Sequence, residues 1–593
     1  MHKFRIRLYF GIIVFLIFFT QGIWGLSDYG INWDEPVHYI RGQAYLRYLL
    51  TGKTDYSDLP KLKSHYPKFL GYDLPSEVIL EDDKTIRRSI YQYDSEYRGT
   101  FQWFLQNDSG HPPLNGILAS FFNYIFYQKL GIMGDIESYH VFVILTGSLL
   151  VASTFLFVSY YFGIFAGIIA TLSLALYPLF FSESHFNIKD PVEAAFYSLT
   201  LFAFYVGIVK GKWKWVIISG IFAGFALGTK FNIVFAGLTL VVWLTIYYWR
   251  SIKRLAWPFS KPLTASLVLF PCIALAILYI SWPYLWQNPI HNLLNIFNYY
   301  KSIGSISYQT DTSFVFLGFN TYAIQWIVYA TPLVILFLTF FGIIYTFTKG
   351  LKEKGKTSLL VLIWFIVPIA RVTMPNAGIY GGVRQIMEFI PAMAILSGIG
   401  ANYIVILLNG YIVKRLKQFN NSTIQQFPSK TTLLILQAIC ILAFLPITLK
   451  LISIHPNENV YLNPLIGGLK GAKERNFADW GVTLGTTYQQ GVEWLNEKAE
   501  KNANVSLVKG LHSNIPRTTL REDINLHNRY YSGENKKGEY IIEVTDYRWI
   551  IDIPKEKRIY LDTLSPVYEV KVDNVAILKI WKNDVWNTEA TDR

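Results

Sequence analysis

Cysteine is nearly missing from this chain. Its 593 residues hold two, Cys272 and Cys440, and both fall inside apolar runs. A disulfide framework or a cysteine-based metal centre is thereby excluded. Charge is scarce as well, at 16% of residues, against roughly 25% for soluble domains. Acidic groups are the minority, 41 against 54 basic, which leaves a net charge of +13. No glycine-rich phosphate loop stands between a strand and a helix, so use of ATP or NAD has no support. Internal repeats and low-complexity tracts are also lacking.

Apolar residues dominate instead, at 52%, with 17% aromatic. Many runs approach or exceed the roughly 18 residues that mark a membrane-spanning helix. The expected fold class is an α-helical polytopic membrane protein. Basic clusters interrupt the runs at Lys210 to Lys214, Arg250 to Arg254, Lys349 to Lys356 and Lys414 to Lys417. That placement reads as the positive-inside rule rather than as a nucleic-acid surface. Lys3, Arg5 and Arg7 precede the first run, Leu8 to Leu26, and Trp24 stands where a cleavage site would want a small residue. The segment is expected to stay as a first helix with a cytoplasmic N-terminus.

Candidate apolar segments are 8–26, 113–130, 139–160, 162–182, 192–210, 214–230, 232–249, 263–283, 322–347, 357–374, 386–408 and 432–453. Pinning the basic clusters to the cytoplasm puts 27–112, 284–320, 375–385 and everything after 454 outside. An external C-terminus needs an odd number of crossings. The segment 113–130 begins at Pro112-Pro113, is short, and is followed by Asp135 and Glu137 rather than by basic residues. It is expected to be re-entrant or juxtamembrane, leaving about eleven crossings. Two units follow: a transmembrane part, 1–454, whose first external loop is 27–112, and an external part, 455–593. In the latter, a helix over Gln489 to Ala499 and strand-like runs Val505–Val508, Tyr540–Val544, Val567–Val572 and Val575–Trp581 predict a small α/β domain. The run Glu81-Asp82-Asp83 reads as solvated loop.

Polar groups concentrate on the external side. Asp34 and Glu35 follow the first span, with Pro36 suited to a first helical turn and Asp34 standing where a cap would stand. Val37, Ile40, Ala44 and Tyr48 recur at helical spacing, giving an amphipathic surface helix. Either carboxylate can serve as a general base if an apolar cavity moves its pKa toward the working range; either can also be a helix cap and no more. His111, in Gly110-His111-Pro112-Pro113-Leu114, is held at a fixed place by two prolines and can donate to a phosphate. Ser182 to Pro191 is a polar island between apolar runs, and a simple cap at Asp190 does not need Glu183, His185 and Lys189 beside it. Arg371 and Arg384 end external-facing spans and suit phosphate oxygens, or snorkelling to the interface. Lys230 is open to the same two readings. Asp34, Glu35, His38, His111, His185 and Asp190 leave a hard divalent cation as an option, without diagnostic ligand spacing.

The order of these pieces resembles the GT-C superfamily of membrane glycosyltransferases. It is most similar to the branch of protein O-mannosyltransferases and bacterial lipid A aminoarabinose transferases. The resemblance rests on the Asp-Glu pair in a long first external loop, the His-Pro-Pro-Leu segment and the external Asp-Pro after paired spans. Gly381-Gly382-Val383-Arg384-Gln385-Ile386-Met387-Glu388-Phe389-Ile390-Pro391 resembles the Gly-Arg-Tyr-Leu-Leu-Pro pattern of bacterial members, departing from it at Gln385. Tyr461-Leu462-Asn463, Gly467 to Ala472, Trp480-Gly481 and Trp494-Leu495-Asn496 are similar to bacterial tails. The resemblance implies a polyprenyl-phosphate sugar as donor, used without nucleotide on the external face of a bacterial or archaeal plasma membrane. The acceptor would be a glycan, a lipid or a protein. It further implies Asp34 as the base, Asp190 as the second acid, His111 near the donor phosphate and Arg384 on the phosphate leaving group, with inversion at the sugar. No domain is evident between spans of the kind that eukaryotic protein mannosyltransferases carry. Two rival readings stand beside it: an oligosaccharyltransferase or glycan ligase, of whose Trp-Trp-Asp motif Ala478-Asp479-Trp480-Gly481 is a faint echo, and a secondary transporter, which calls for inverted repeats.

Overall fold

The computed structural model describes residues 2–60, 62–64, 78–80, 86–92, 100–305, 312–418, 429–507, 514–527, 539–547 and 564–583. The run Glu81-Asp82-Asp83 lies outside them. Among the described residues, six helices are long and apolar enough to cross a membrane: Arg5–Trp24, Asp135–Phe162, Asp190–Lys210, Lys261–Ser281, Phe389–Arg415 and Lys430–Ile454. Two bent pairs, Ile164–Ala175 with Pro178–Phe186 and Tyr322–Ala330 with Leu333–Thr348, bring the number to eight if each is one span. Shorter apolar helices are Trp213–Leu227, Phe231–Tyr247 and Thr357–Thr373. Together these helices fall on the segments that the charge pattern assigned to crossings. The 113–130 segment instead forms the ten-residue helix Leu114–Asn123 and a π-helical turn, Tyr124–Lys129, and is not among the helices long and apolar enough to cross.

The surface helix expected after Asp34 is present as Glu35–Thr51. Of the expected stripe only Ala44 is buried, while Val37 is 64% exposed; the buried face is carried by Tyr39, Tyr45 and Leu46 beside Ala44. The reason is a close crossing with Leu114–Asn123. A Cβ on Gly42 would meet the Gly116 carbonyl oxygen at 2.2 Å, and one on Gly116 would meet the His38 carbonyl oxygen at 2.5 Å. Only paired glycines allow two backbones this near. We expect Gly42→Ala to force the helices apart at a cost of about 1–3 kcal/mol. Because Asp34 opens this helix, the same change should lower activity; a thermal melt beside a turnover assay checks both.

Among its described residues the C-terminal part carries a five-stranded mixed sheet: β1 (Asn504–Ser506), β2 (Asn525–His527), β3 (Glu539–Val544), β4 (Pro566–Val572) and β5 (Val575–Asn583). The strand order is β2-β1-β3-β5-β4. β1 runs parallel to both β2 and β3, while β5 is antiparallel to β3 and β4. The helix Tyr488–Lys498 covers it, burying Tyr488, Val492 and Leu495. β2 is the strand the sequence pattern did not show: three residues, Asn-Leu-His, with a single apolar side chain. One apolar core continues from this sheet (Ile542, Ile577, Leu578) into the helices (Leu150, Ile169, Phe180, Ile335).

The junction is also ionic. His455 Nε2 lies 2.9 Å from Asp28, and its Nδ1 lies 2.7 Å from Glu458. The Tyr29 hydroxyl donates to Glu458 at 2.9 Å. The hydrogen bond to Glu458, and then the one to Asp28, outweigh burial and push His455 up to about 9. A raised histidine stabilises below its unfolded pKa of about 6.5 and loses that contribution as pH rises through its folded value. Unfolding midpoints of wild type and His455→Gln should therefore differ at pH 6 and converge by about pH 10.

Candidate active site

Asp34 stands in the turn between the first span and the Glu35–Thr51 helix, but its carboxylate makes no capping bond. Asn32 does local work instead, its Oδ1 accepting the Asp34 N–H at 3.0 Å. The Asp34 carboxylate is left 41% exposed, with Lys189 Nζ and Arg384 Nη1 each 3.2 Å from Oδ2. Glu35 turns the other way. It accepts the Asn32 N–H at 2.8 Å and faces the His140 ring nitrogen at 3.2 Å, fully buried. The adjacent carboxylates thus separate, one toward a cavity and one into the helix packing.

A parallel substitution of roles occurs at Asp190. Asn187 Oδ1 accepts the N–H groups of Lys189 and Asp190 at 3.0 and 3.1 Å, so the asparagine takes backbone donors just ahead of the Asp190–Lys210 helix. Asn187 Nδ2 donates to Glu183 at 2.7 Å and to Asp190 at 3.0 Å. The Asp190 carboxylate, 1% exposed, then meets Lys230 Nζ at 2.8 Å and Arg384 Nη1 at 3.2 Å. A continuous ionic chain results: Lys189, Asp34, Arg384, Asp190, Lys230. Three cations contact two carboxylates directly, with Glu183 reaching Asp190 only through Asn187, and the cations on the exposed side suit an anionic ligand. Arg384 Nε is buried and has no hydrogen-bond partner among the described residues.

The electrostatics reverse one expectation. The apolar surroundings were expected to raise the Asp34 pKa; the Lys189 ammonium, with Arg384 and His38 behind it, overrides burial and holds it well below the carboxylate range. Asp34 is ionised at every working pH and is a weak base while both cations grip it. For Arg384, burial disfavours charge, but Asp34, Asp190 and Glu183 together outweigh it and hold the guanidinium charged. His111 is brought down to about 3 by burial and by Lys189, Arg41 and Lys230, so it is a neutral imidazole. Its Nδ1 is 2.8 Å from the Tyr300 hydroxyl. Its carbonyl accepts from Arg41 at 2.6 Å, and Arg41 is itself locked to Asp108 at 2.9 Å.

Arg371 sits one layer deeper. It donates to Asn232 at 2.7 Å, lies 3.8 Å from buried Glu388, and reaches the Gln385 carbonyl at 3.4 Å, which Lys230 also binds at 2.9 Å. It touches the cluster through that shared carbonyl rather than directly. His185 lies apart: its Nδ1 is 2.8 Å from the Phe181 carbonyl and its ring stacks on Tyr29 at 4.5 Å. Of the residues singled out from sequence, the structure brings together Asp34, Lys189, Asp190 and Arg384, keeps His111 beside them, and turns Glu35 and His185 into packing. Lys230, left open by the sequence, joins the centre. Asn187, Asn232 and the Arg41–Asp108 pair were missed; Asn187 could have been found, since it stands three residues before Asp190 at cap spacing. Among the described residues no group of three or more His, Cys, Asp or Glu is arranged to hold a metal ion.

Residues 110–278 match the family model described as dolichyl-phosphate-mannose-protein mannosyltransferase. That span includes His111, Lys189, Asp190 and Lys230. No curated protein matches the chain. Among solved structures, ArnT from Cupriavidus metallidurans bound to undecaprenyl phosphate is similar at 14% identity and a TM-score of 0.45, over 97% of each chain. The Archaeoglobus fulgidus oligosaccharyltransferase tethered to an acceptor peptide is similar at 12% identity and a TM-score of 0.46, over 90% of this chain and 69% of that one.

Proposed function

We propose that this chain is an integral membrane glycosyltransferase that moves a sugar from a polyprenyl-phosphate donor to a hydroxyl or amine acceptor on the external face. The observation that carries the reading is the ionic chain itself. Its one partly exposed carboxylate, Asp34, is held by two cations, Lys189 and Arg384, that can transfer to a phosphate.

In this scheme the donor phosphate draws Lys189 and Arg384 away from Asp34. Each loss of a cation raises the basicity of the carboxylate. The freed Asp34 takes the proton of the acceptor as its oxygen or nitrogen attacks the anomeric carbon. The bond from that carbon to the phosphate oxygen breaks, and its electron pair leaves with the lipid phosphate. Attack from the opposite face inverts the sugar. Arg384 and Lys189 neutralise the leaving group in a site of low dielectric, where such charge is worth most. Asp190 keeps Arg384 and Lys230 in place, and neutral His111 offers a hydrogen bond without adding charge.

Turnover of radiolabelled polyprenyl-phosphate sugars by the purified chain in lipid, with Asp34→Asn alongside, tests the proposal. Transfer from one donor that disappears in the variant supports both the class and the base. Transfer of preassembled oligosaccharides alone would move the chain to the glycan ligases, and full activity in Asp34→Asn would remove the base.

A further inference from the structure

Arg384 follows two glycines, Gly381 and Gly382, at φ 67° and 71°. Such a turn has no side chain of its own to fix it, so its N–H groups need outside partners. Both partners are unusual. The Gly381 N–H donates to Asp479 Oδ2 at 2.8 Å, and the Gly382 N–H donates to the Tyr322 hydroxyl at 2.9 Å. Tyr322 in turn donates to the same Asp479 oxygen at 2.5 Å. One carboxylate thus closes a three-membered ring of hydrogen bonds around the turn. The Trp326 ring lies 3.5 Å from where a Gly382 Cβ would stand, and its Nε1 donates to the Ala478 carbonyl at 3.1 Å.

Asp479 belongs to the segment that leads into the C-terminal sheet, nearly a hundred positions from the turn it holds. Its backbone sits at φ 62°, sparsely populated for residues other than glycine, asparagine and aspartate. The same stretch also grips the other arm of the site. The Trp33 N–H donates to the Leu484 carbonyl at 3.0 Å, and Asn514 Nδ2 donates to the Ile31 carbonyl at 2.7 Å. The external part therefore touches the chain on both sides of the Asp34–Arg384 contact.

We propose that Asp479, with Tyr322, is a positioning residue for the donor phosphate: it fixes the Gly381-Gly382 turn and through it the guanidinium of Arg384. The external part then belongs to the donor site as well as to whatever acceptor it meets. This rests on the glycosyltransferase reading.

The test uses the full chain in lipid nanodiscs, with undecaprenyl phosphate as probe and sugar transfer as second readout. Asp479→Gly removes the carboxylate while tolerating the positive φ. Tyr322→Phe is the milder change, leaving the fold less exposed to disturbance. Each should weaken undecaprenyl phosphate binding about tenfold, or roughly 1.4 kcal/mol. Each should raise the donor KM with kcat within about threefold. Asp479→Asn keeps an acceptor oxygen and the backbone preference, and should restore most of the affinity. In an Arg384→Lys background the Asp479→Gly effect should shrink below about twofold, because the two act as one unit.

Wild-type affinity in Asp479→Gly and Tyr322→Phe, with unchanged melting, overturns the inference. So does an equal loss with or without Arg384, which would mark a general structural role. Wild type that neither binds undecaprenyl phosphate nor transfers sugar overturns the glycosyltransferase reading, and this inference with it.

Discussion

Asp34→Asn should abolish sugar transfer while leaving donor binding unchanged or tighter. The first half follows from chemistry. An amide cannot take the acceptor proton, and loss of a positioned base typically costs 10²–10⁴-fold, about 3–5 kcal/mol of barrier. The second half follows from the ionic chain. Asp34 shares Lys189 and Arg384 with any incoming phosphate, since both stand 3.2 Å from its carboxylate. Removing that competitor releases both cations to the donor. Folding should suffer little, because the carboxylate is 41% exposed and exposed ion pairs contribute about 0–1 kcal/mol. Titration of lipid-phosphate binding beside single-turnover transfer separates the two halves. A variant that loses binding and chemistry together would show Asp34 to be a binding group and end its assignment as base.

The depressed pKa of Asp34 gives this prediction a signature in pH. Its lowered value means that the stabilisation it supplies is present above the ordinary carboxylate range, near 3.9, and is lost only on further acidification. In the free enzyme, then, Asp34 does not titrate between pH 5 and 8. With donor bound, Lys189 and Arg384 are partly withdrawn and the carboxylate becomes a better base. The acid limb should therefore appear in kcat, which reports the complex, and be absent from kcat/KM, which reports the free enzyme. His111 does not blur the profile, since burial and its cationic neighbours keep it neutral until about 3.

The residues at the centre were legible because helix ends advertise themselves. Asp34 before Glu35-Pro36, and Lys189-Asp190-Pro191 after an apolar run, are polar groups at span boundaries where burial of charge is costly. Four of the five strands described in the C-terminal part were legible for a similar reason, as runs rich in β-branched and aromatic residues. Partnership was not. Sequence gives Asp34 and Asp190 as caps, and only the fold reveals that Asn32 and Asn187 take the backbone N–H groups and leave both carboxylates free. Likewise the sign of the Asp34 shift depends on Lys189 and Arg384, which are 155 and 350 positions away. Glu35 and His185 were chosen for chemical type, and the structure places them against His140 and Tyr29. Asp479 stood in a motif too short to weigh; its partner is a glycine N–H, which no side-chain pattern announces.

Arg384→Gln should reduce donor binding by about 10–10²-fold, the scale of a hydrogen bond to a charged group, at a modest cost in stability. The difference between the two effects comes from counting charges. With Arg384 present, Lys189, Lys230 and Arg384 contact Asp34 and Asp190 directly, and Arg384 bridges the two carboxylates. Without it, Asp34 retains Lys189 and Asp190 retains Lys230 at 2.8 Å. Each carboxylate is still paired, so the large penalty for a buried orphan charge, about 3–5 kcal/mol, is avoided. We expect a stability loss of about 1–2 kcal/mol, the scale of a charge-assisted hydrogen bond. The bridging guanidinium, however, is gone, and with it one of the two cations that can turn from Asp34 to an anionic donor. Lys189→Gln makes the useful contrast. It removes a cation that touches only the exposed carboxylate, leaves Arg384 bridging Asp34 and Asp190, and should weaken lipid-phosphate binding less while raising the basicity of Asp34. Equal losses in the two variants would mean that the site binds its donor by net charge alone, and that the bridging place of Arg384 between the two acids carries no separate role.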